Sequence, residues 1–410
     1  MTYNKYIACH ECNLLIEMES LPEGNKAHCP RCKYMLTAKH YNAQNRIIAF
    51  SITALIFLFL SLIFPFLTFS AQGQDRTVTL VQSISVLMTE NFSSLAILIF
   101  VSTIAIPGLY LLSALYVNVS LKCMRLLRGT ATILKLMGHI QHWSMAEIFL
   151  IGILVSFIKI TALADVSLGL SFSAYVLFII SMSATIMHMD KHQVWRLLKE
   201  KQKRPTSFVP TNGNYQGCHE CTDIAAVAKK YCDTCGSHLH PGSNNSLQKT
   251  WALLVTSIML YIPANMLPIM HTNFLGDETA NTIMGGIIVL WHHGSYPIAL
   301  IIFIASILVP IGKILALCWL CYSVQTGSEK SYIQKTQLYR ITEMVGRWSM
   351  VDVFVVAILV ALIQLGKIMS IYPGWGAVAF AGMVIVTVLA AISFDPRLIW
   401  NPLNKEVFND

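Results

Sequence analysis

Apolar residues fill long runs along this chain, and polar residues gather between them. A run must reach about 20 residues to cross a bilayer. Eight do so, at roughly 47–69, 94–117, 144–164, 168–188, 250–270, 297–321, 349–370 and 375–394. The pattern predicts eight transmembrane helices. A short link at Asp165 to Ser167 joins the third and fourth, and a turn at Tyr372-Pro373-Gly374 joins the last two. Two shorter segments with apolar periodicity, Thr79 to Phe92 and Thr282 to His293, follow the first and fifth spans. They are too short to cross, so the expectation is interfacial helices. Composition agrees with this reading. The 410 residues are 55% hydrophobic and only 12% charged, against about 25% charged in a soluble domain. The first apolar run also exceeds a signal h-region of roughly 7–15 residues, so no cleavable leader is expected.

The pattern repeats. Cys9-His10-Glu11-Cys12 recurs as Cys218-His219-Glu220-Cys221, and Cys29-x-x-Cys32 as Cys232-x-x-Cys235. Pro65 and Pro107 correspond to Pro268 and Pro310. The stretch Trp143 to Phe149 corresponds to Trp348 to Phe354, and from Trp143 to Trp195 the offset is a constant 205. Agreement at polar, aromatic and proline positions goes beyond shared apolar composition. The fold expected is an α-helical polytopic membrane protein. It is built as two parallel repeats of four transmembrane helices, each preceded by a small four-cysteine zinc ribbon. Its boundaries are a first ribbon at 1–44, a first bundle at 45–195, a linker and second ribbon at 196–245, a second bundle at 246–402 and a tail at 403–410. Parallel repeats related by an axis along the membrane normal occur in transporters. Duplication is also a way to enlarge a scaffold, and of the two the transport architecture is favoured by analogy.

Eight of the 11 cysteines form the four C-x-x-C pairs. Pairs of this spacing in polar segments read as metal sites rather than disulfides. Cys9, Cys12, Cys29 and Cys32 form one set, and Cys218, Cys221, Cys232 and Cys235 the other. Each supplies the four thiolates of a structural zinc site, with redox dithiols or an iron site as the alternatives. His10 and His219 lie inside the knuckles and are read as exposed. No H-E-x-x-H is present, and the chain is not expected to be an enzyme.

Charge sets orientation. Of the 29 Lys and Arg residues, all but Arg76, Lys159, Lys313 and Lys367 fall in segments on the side of the N-terminus. That side is therefore expected to be cytosolic, which also suits reduced thiols. The net charge of +8 is a topology signal and not a nucleic-acid footprint.

Ionisable residues within spans are costly and are functional candidates. Lys313 lies in the sixth span, with Ser306 two turns earlier. Asp352 and Ser349 open the seventh, and Thr387 lies in the eighth. The five can form one buried network with Lys313 and Asp352 as an ion pair, able to carry protons. A purely structural ion pair, or Asp352 capping its helix, fits the same residues. In the first half Glu147 and Lys159 are secondary candidates, and Tyr110 stands where the second half has Lys313. The halves are thus not equivalent, and the second is read as the active one. Lys367 is expected to snorkel. His271, His292 and His293 are expected at the interface, and Cys318-x-x-Cys321 is expected to be unreactive on an apolar helix.

These motifs resemble the paraquat-inducible protein A family over nearly the whole chain. The carriers are the doubled cysteine ribbons, Trp-Ser-Met-Ala-Glu-Ile-Phe at 143–149, Leu-Pro-Ile-Met at 267–270, Ala-Ser-Ile-Leu-Val-Pro at 305–310, Gly-Arg-Trp-Ser-Met at 346–350 and Phe-Asp-Pro-Arg-Leu at 394–398. Tyr-Ile-Pro-Ala-Asn-Met-Leu-Pro at 261–268 and Met-Ser-Ile-Tyr-Pro at 369–373 set it nearer to that branch than to the lipophilic envelope-spanning tunnel branch. The resemblance implies a bacterial inner-membrane subunit that partners an MCE-domain tunnel protein. Through that partner it would reach an outer-membrane lipoprotein and move phospholipid between membranes in support of envelope integrity. It also implies that Ser306, Lys313, Ser349, Asp352 and Thr387 form a proton-coupled transport network. Two other roles stay open at this stage: a non-transporting anchor for the MCE partner, and a membrane thiol sensor.

Overall fold

A computed structural model describes residues 6–18, 21–71, 74–89, 93–123, 126–161, 165–202, 215–239, 244–274, 277–292, 294, 296–327, 331–346, 348–362 and 369–400. The chain opens with two small antiparallel hairpins, β1 (Tyr6–Ala8) with β2 (Leu15–Glu17), and β3 (Lys26–His28) with β4 (Met35–Ala38). Helix α1 (Ala43–Ile63) follows and stops just before Pro65, and β5 (Leu67–Ala71) and β6 (Gln74–Val78) form a hairpin. Next come α2 (Leu80–Thr89), α3 (Ser93–Phe100), a π-helix at Val101–Ala105 and α4 (Ile106–Lys122). The first half closes with α5 (Thr130–Ile140), a 3-10 turn at Gln141–Trp143, α6 (Ala146–Thr161), β7 (Asp165–Leu168), α7 (Leu170–His188) and α8 (Lys191–Lys201).

The second half runs through the same series. A hairpin of β8 (Tyr215–Gly217) and β9 (Ile224–Ala226) precedes α9 (Asn244–Met266), then β10 (Met270–Phe274), β11 (Asp277–Asn281), α10 (Ile283–His292) and α11 (Tyr296–Phe303). A π-helix at Ile304–Leu308 leads into α12 (Val309–Gln325) and α13 (Tyr332–Gly346). A 3-10 turn at Trp348–Met350, α14 (Val351–Leu362), β12 (Met369–Pro373), α15 (Trp375–Ser393) and a 3-10 turn at Pro396–Trp400 complete it.

Six helical stretches among the described residues are long and apolar enough to cross a membrane: Ala43–Ile63, Ser93–Lys122, Thr130–Phe157, Leu170–His188, Ala299–Gln325 and Trp375–Ser393. The expected fifth span is α9, a helix of 23 residues that carries Lys249, Pro263 and Asn265 and is correspondingly less apolar. The expected seventh is α14, beyond whose end at Leu362 residues 363–368, with Lys367, lie outside the described residues. Several expected ends overshoot. Positions 67–69, 270, 168 and 369–370 fall within expected spans and are strand. Prolines at 65 and 268 explain the first two, since the residue before a proline is driven out of the α region.

The strands form a finding the apolar pattern did not reveal. β5 pairs with both β6 and β7, and β10 with both β11 and β12, all antiparallel. The supposed links at Asp165 and Tyr372 are the third strands of these sheets. Gly374 seals the second sheet onto its bundle. Its N–H donates to Ile269 O at 2.8 Å, and a Cβ there would stand 2.1 Å from Pro268 O. Gly169 does the same in the first half against Pro65 O.

Each π-helix ends two positions before a proline. Pro107 and Pro310 have no N–H to return to the carbonyls of Thr103 and Ser306, and the wider π turn accommodates the lost ladder bond. α1 packs on α4 and α7, and α9 on α12 and α15. The halves meet where α14 crosses α6 and α2. There the rings of Phe149 and Phe354, equivalent positions, touch edge to face at 5.5 Å.

Candidate functional site

Each C-x-x-C pair sits in a tight knuckle. In all four the N–H of the residue directly after the second cysteine donates to the carbonyl of the first. Asn13 N bonds Cys9 O at 3.0 Å, Lys33 N bonds Cys29 O at 2.9 Å, Thr222 N bonds Cys218 O at 3.1 Å and Gly236 N bonds Cys232 O at 2.8 Å. The turn requires positive φ at that residue, 55° at Asn13, 59° at Lys33, 58° at Thr222 and 69° at Gly236. Only Gly236, and less so Asn13, adopts that region at little cost, so the geometry is held against local preference at the other two knuckles.

The knuckles bring four sulfurs together twice. Cys9 Sγ lies 3.5 Å from Cys32 Sγ, and Cys12 Sγ lies 3.6 Å from Cys29 Sγ. Cys218 to Cys235 and Cys221 to Cys232 are both 3.5 Å. Within each set all sulfurs lie within 4.8 Å of one another, and all eight residues are buried. A metal with sulfur bonds of about 2.3 Å has tetrahedral edges of roughly 3.8 Å, so both cages fit such an ion. Four sulfurs leave no open coordination position, which is the arrangement of a structural site.

The two cages are neighbours. His10 Nε2 and His219 Nδ1 are 2.9 Å apart, one donating to the other. Burial, with Arg397 nearby, holds both rings below the ordinary histidine pKa, His219 at about 4. Both are therefore neutral at pH 7. His10 is half-buried, which corrects its reading as exposed, whereas His219 is exposed as expected. Tyr215 Oη donates to Asn13 O at 3.2 Å, and Gly217 N to Asn13 Oδ1 at 3.3 Å.

Lys313 is 4% exposed on α12 and its Nζ donates to Thr387 Oγ1 of α15 at 3.1 Å. Thr387 passes its own hydrogen to Val384 O at 2.8 Å. Gly346, the last residue of α13, lies against the ammonium, and a Cβ built there would meet Lys313 Nζ at 2.7 Å. Ser349 is fully buried, and its hydroxyl has no hydrogen-bond partner among the described residues. Ser306 is buried in the π-helix, and its hydroxyl bonds Ile302 O at 2.7 Å. The two-turn spacing expected between Ser306 and Lys313 presumed a regular α-helix, and the π turn between them removes that regularity. The side chain of Asp352 lies outside the described residues. The structure thus brings Lys313 and Thr387 together, and Ser306 satisfies itself locally.

In the first half Tyr110 is buried at 1% exposure. Glu147 is exposed and accepts from Ser183 Oγ at 2.8 Å. The side chain of Lys159 lies outside the described residues. A small apolar crevice with a cavity volume of about 20 Å³ lies between the halves, lined by residues including Leu80, Ile84, Leu87, Ile99, Phe149 and Ile358.

Sequence reasoning missed three contributors. Gly346 carried a signal, a glycine closing a helix just before the Trp-Ser-Met stretch. Arg340 and Arg397 looked like topology charges, yet both hold the cages in place. Arg340 Nε bonds Glu11 Oε1 at 2.9 Å and Arg340 Nη2 bonds Cys32 O at 2.9 Å. Arg397 Nε bonds His10 O at 3.0 Å and Arg397 Nη1 bonds Gly217 O at 2.8 Å.

The family model described as paraquat-inducible protein A matches residues 44–199 and again 247–404. The chain is 39% identical over 402 residues to the intermembrane transport protein PqiA of Escherichia coli K12, covering 97% of this chain and 96% of that one. It is 28% identical to the lipophilic envelope-spanning tunnel protein A of the same strain, over 97% and 91% of the two chains. A probable intermembrane transport protein of Haemophilus influenzae is 26% identical, over 98% and 97%. No solved structure matches. With the family matched once in each half and a relative of this identity aligned end to end, the chain is a multi-pass membrane protein belonging to the paraquat-inducible protein A family.

Proposed function

We propose that this protein is the inner-membrane subunit of an MCE-type intermembrane phospholipid transport system, moving lipid into or out of a periplasm-spanning tunnel. The observation that carries the reading is the ammonium of Lys313, buried between α12, α13 and α15 with the Thr387 hydroxyl as its partner among the described residues, in a chain whose relatives are named as intermembrane transport and tunnel proteins. A charge in such a place costs several kcal/mol and is retained for use. Loss of the proton from Lys313 Nζ removes that cost and weakens its bond to Thr387, loosening the α12–α15 contact. Regaining it strengthens that bond. Asp352 and Ser349, at the start of the helix that crosses into the other half, are the proton's next stations.

In this reading both cages hold zinc as a structural ion, and Cys9, Cys12, Cys29 and Cys32, and Cys218, Cys221, Cys232 and Cys235, are its ligands. The ribbon side faces the cytosol. The division at 44, 195, 245 and 402 stands as the domain layout, and no reaction is catalysed. An MCE-domain protein is the partner, and through it an outer-membrane lipoprotein.

The test is purification of the chain from native membranes with lipid mass spectrometry and metal analysis of one sample. An MCE partner, bound phospholipid and about two zinc ions per chain, the number two four-thiolate cages hold, are expected. Partner and zinc without lipid would support the second reading, a passive anchor.

A further inference from the structure

The ribbons do not sit under the bundles that follow them in sequence. The cage formed by Cys9, Cys12, Cys29 and Cys32 packs into one apolar cluster with Leu317, Leu320 and Cys321 of α12, Tyr339 of α13, Phe394 and Trp400. These all belong to the second half. The cage formed by Cys218, Cys221, Cys232 and Cys235 packs with Leu134 and Met137 of α5, and Val194, Trp195 and Leu198 of α8. These belong to the first.

Polar ties follow the same crossed scheme, except that Arg397 of the Pro396–Trp400 turn bonds both ribbons, at His10 O and Gly217 O. Arg340 of α13 grips Glu11, which is 4% exposed inside the first knuckle. The guanidinium of Arg31 lies 4.8 Å over the ring of Trp400. Lys199 of α8 binds Asp223 beside the second cage at 2.8 Å. His139 of α5 lies 3.6 Å from Glu220. Yet β4 of the first ribbon remains tied to the first half, because Asp190 accepts from Thr37 Oγ1 at 2.6 Å and from Ala38 N at 2.5 Å. The first ribbon is therefore a strap, with its strand end at home and its metal end on the other bundle.

We propose that the two metals act as a reciprocal clasp: the metal of each ribbon orders the ribbon-side end of the opposite bundle, and so couples the two halves. A hairpin of a few residues has little core, and its fold comes from the metal. When a cage opens, the knuckle loosens. The apolar surface and buried carboxylate it offers to the opposite bundle are then lost. The first ribbon reaches furthest, because Arg340 lies on the helix whose last residue, Gly346, abuts Lys313. The proposal needs no transport step and stands apart from that reading.

The test is hydrogen–deuterium exchange on the full chain in lipid nanodiscs, zinc-loaded, comparing two cage-breaking variants. Cys9→Ser with Cys12→Ser should speed amide exchange in α13 and Pro396–Trp400 about tenfold or more and leave α5 near wild type. Cys232→Ser with Cys235→Ser should speed exchange in α5 and leave α13 near wild type. A third variant, Arg340→Ala, leaves both cages whole. It should keep its metal content and speed exchange in α13 and in the first knuckle. Each ribbon's loss loosening its own bundle, or both bundles alike, would overturn the proposal. So would an Arg340→Ala protein whose α13 and first knuckle exchange as in wild type.

Discussion

At the scale of residues, the account turns on two buried charges of opposite use. Glu11 and Arg340 form a bidentate pair, the carboxylate almost wholly enclosed. Removing only one partner of a buried pair strands the other, which costs about 3–5 kcal/mol. With Arg340 a third exposed, the lower end applies, and Arg340→Ala should lower the stability of the first ribbon by about 2–3 kcal/mol, read as an earlier unfolding transition. Lys313 has a hydroxyl for a partner. Lys313→Met, similar in volume and uncharged, should therefore fold as well as wild type or better, with an equal or higher thermal midpoint, while lipid transfer falls to background. Lower stability together with intact transfer would contradict the role given to this lysine. Gly346→Ala separates position from charge. The new methyl displaces only the flexible end of Lys313, so the fold should hold. Transfer should fall by about one to two orders of magnitude, the cost of moving a working group by about an ångström.

At the scale of elements, the repeated structures carry parallel tests. Gly374→Ala sets a methyl against the carbonyl of Pro268, backbone that cannot swing away, and disturbs the bond from Gly374 N to Ile269 O. A loss of about 1–3 kcal/mol is expected, read as a lower thermal midpoint, and the equivalent Gly169→Ala should act alike. The long apolar runs announced the helices because a bilayer allows little else. The cages were legible because four-thiolate spacing has few other readings. The small sheets were hidden by their brevity. Each strand is five residues or fewer, and the third strand of each lies about 100 positions away along the chain. The π-helices carried a local signal, the prolines at 107 and 310, which a count of apolar residues overlooks. Ser306 was placed on the face of Lys313 by an α-helical count that the π turn invalidates.

At the scale of the molecule, duplication was plain in sequence, but the crossed seating of the ribbons was not, because no local pattern says which bundle a ribbon will choose. Equivalent residues meet at both levels: His10 with His219 between the cages, Phe149 with Phe354 between the bundles. Stripping metal with a strong chelator should loosen the contact between the halves as well as the ribbons. Because thiolates must be unprotonated to bind, that release should be easier as pH falls. The cross-link yield between cysteines introduced at Phe149 and Phe354 reports it, high with metal and reduced without.

The most direct test of the central claim is phospholipid transfer by the purified complex in liposomes under an imposed pH gradient, wild type beside Lys313→Met. The account predicts transfer that follows the gradient in the wild type and is absent in the variant, with both proteins equally folded and equally loaded with metal. Transfer that ignores the gradient, or that survives the loss of Lys313, would contradict it.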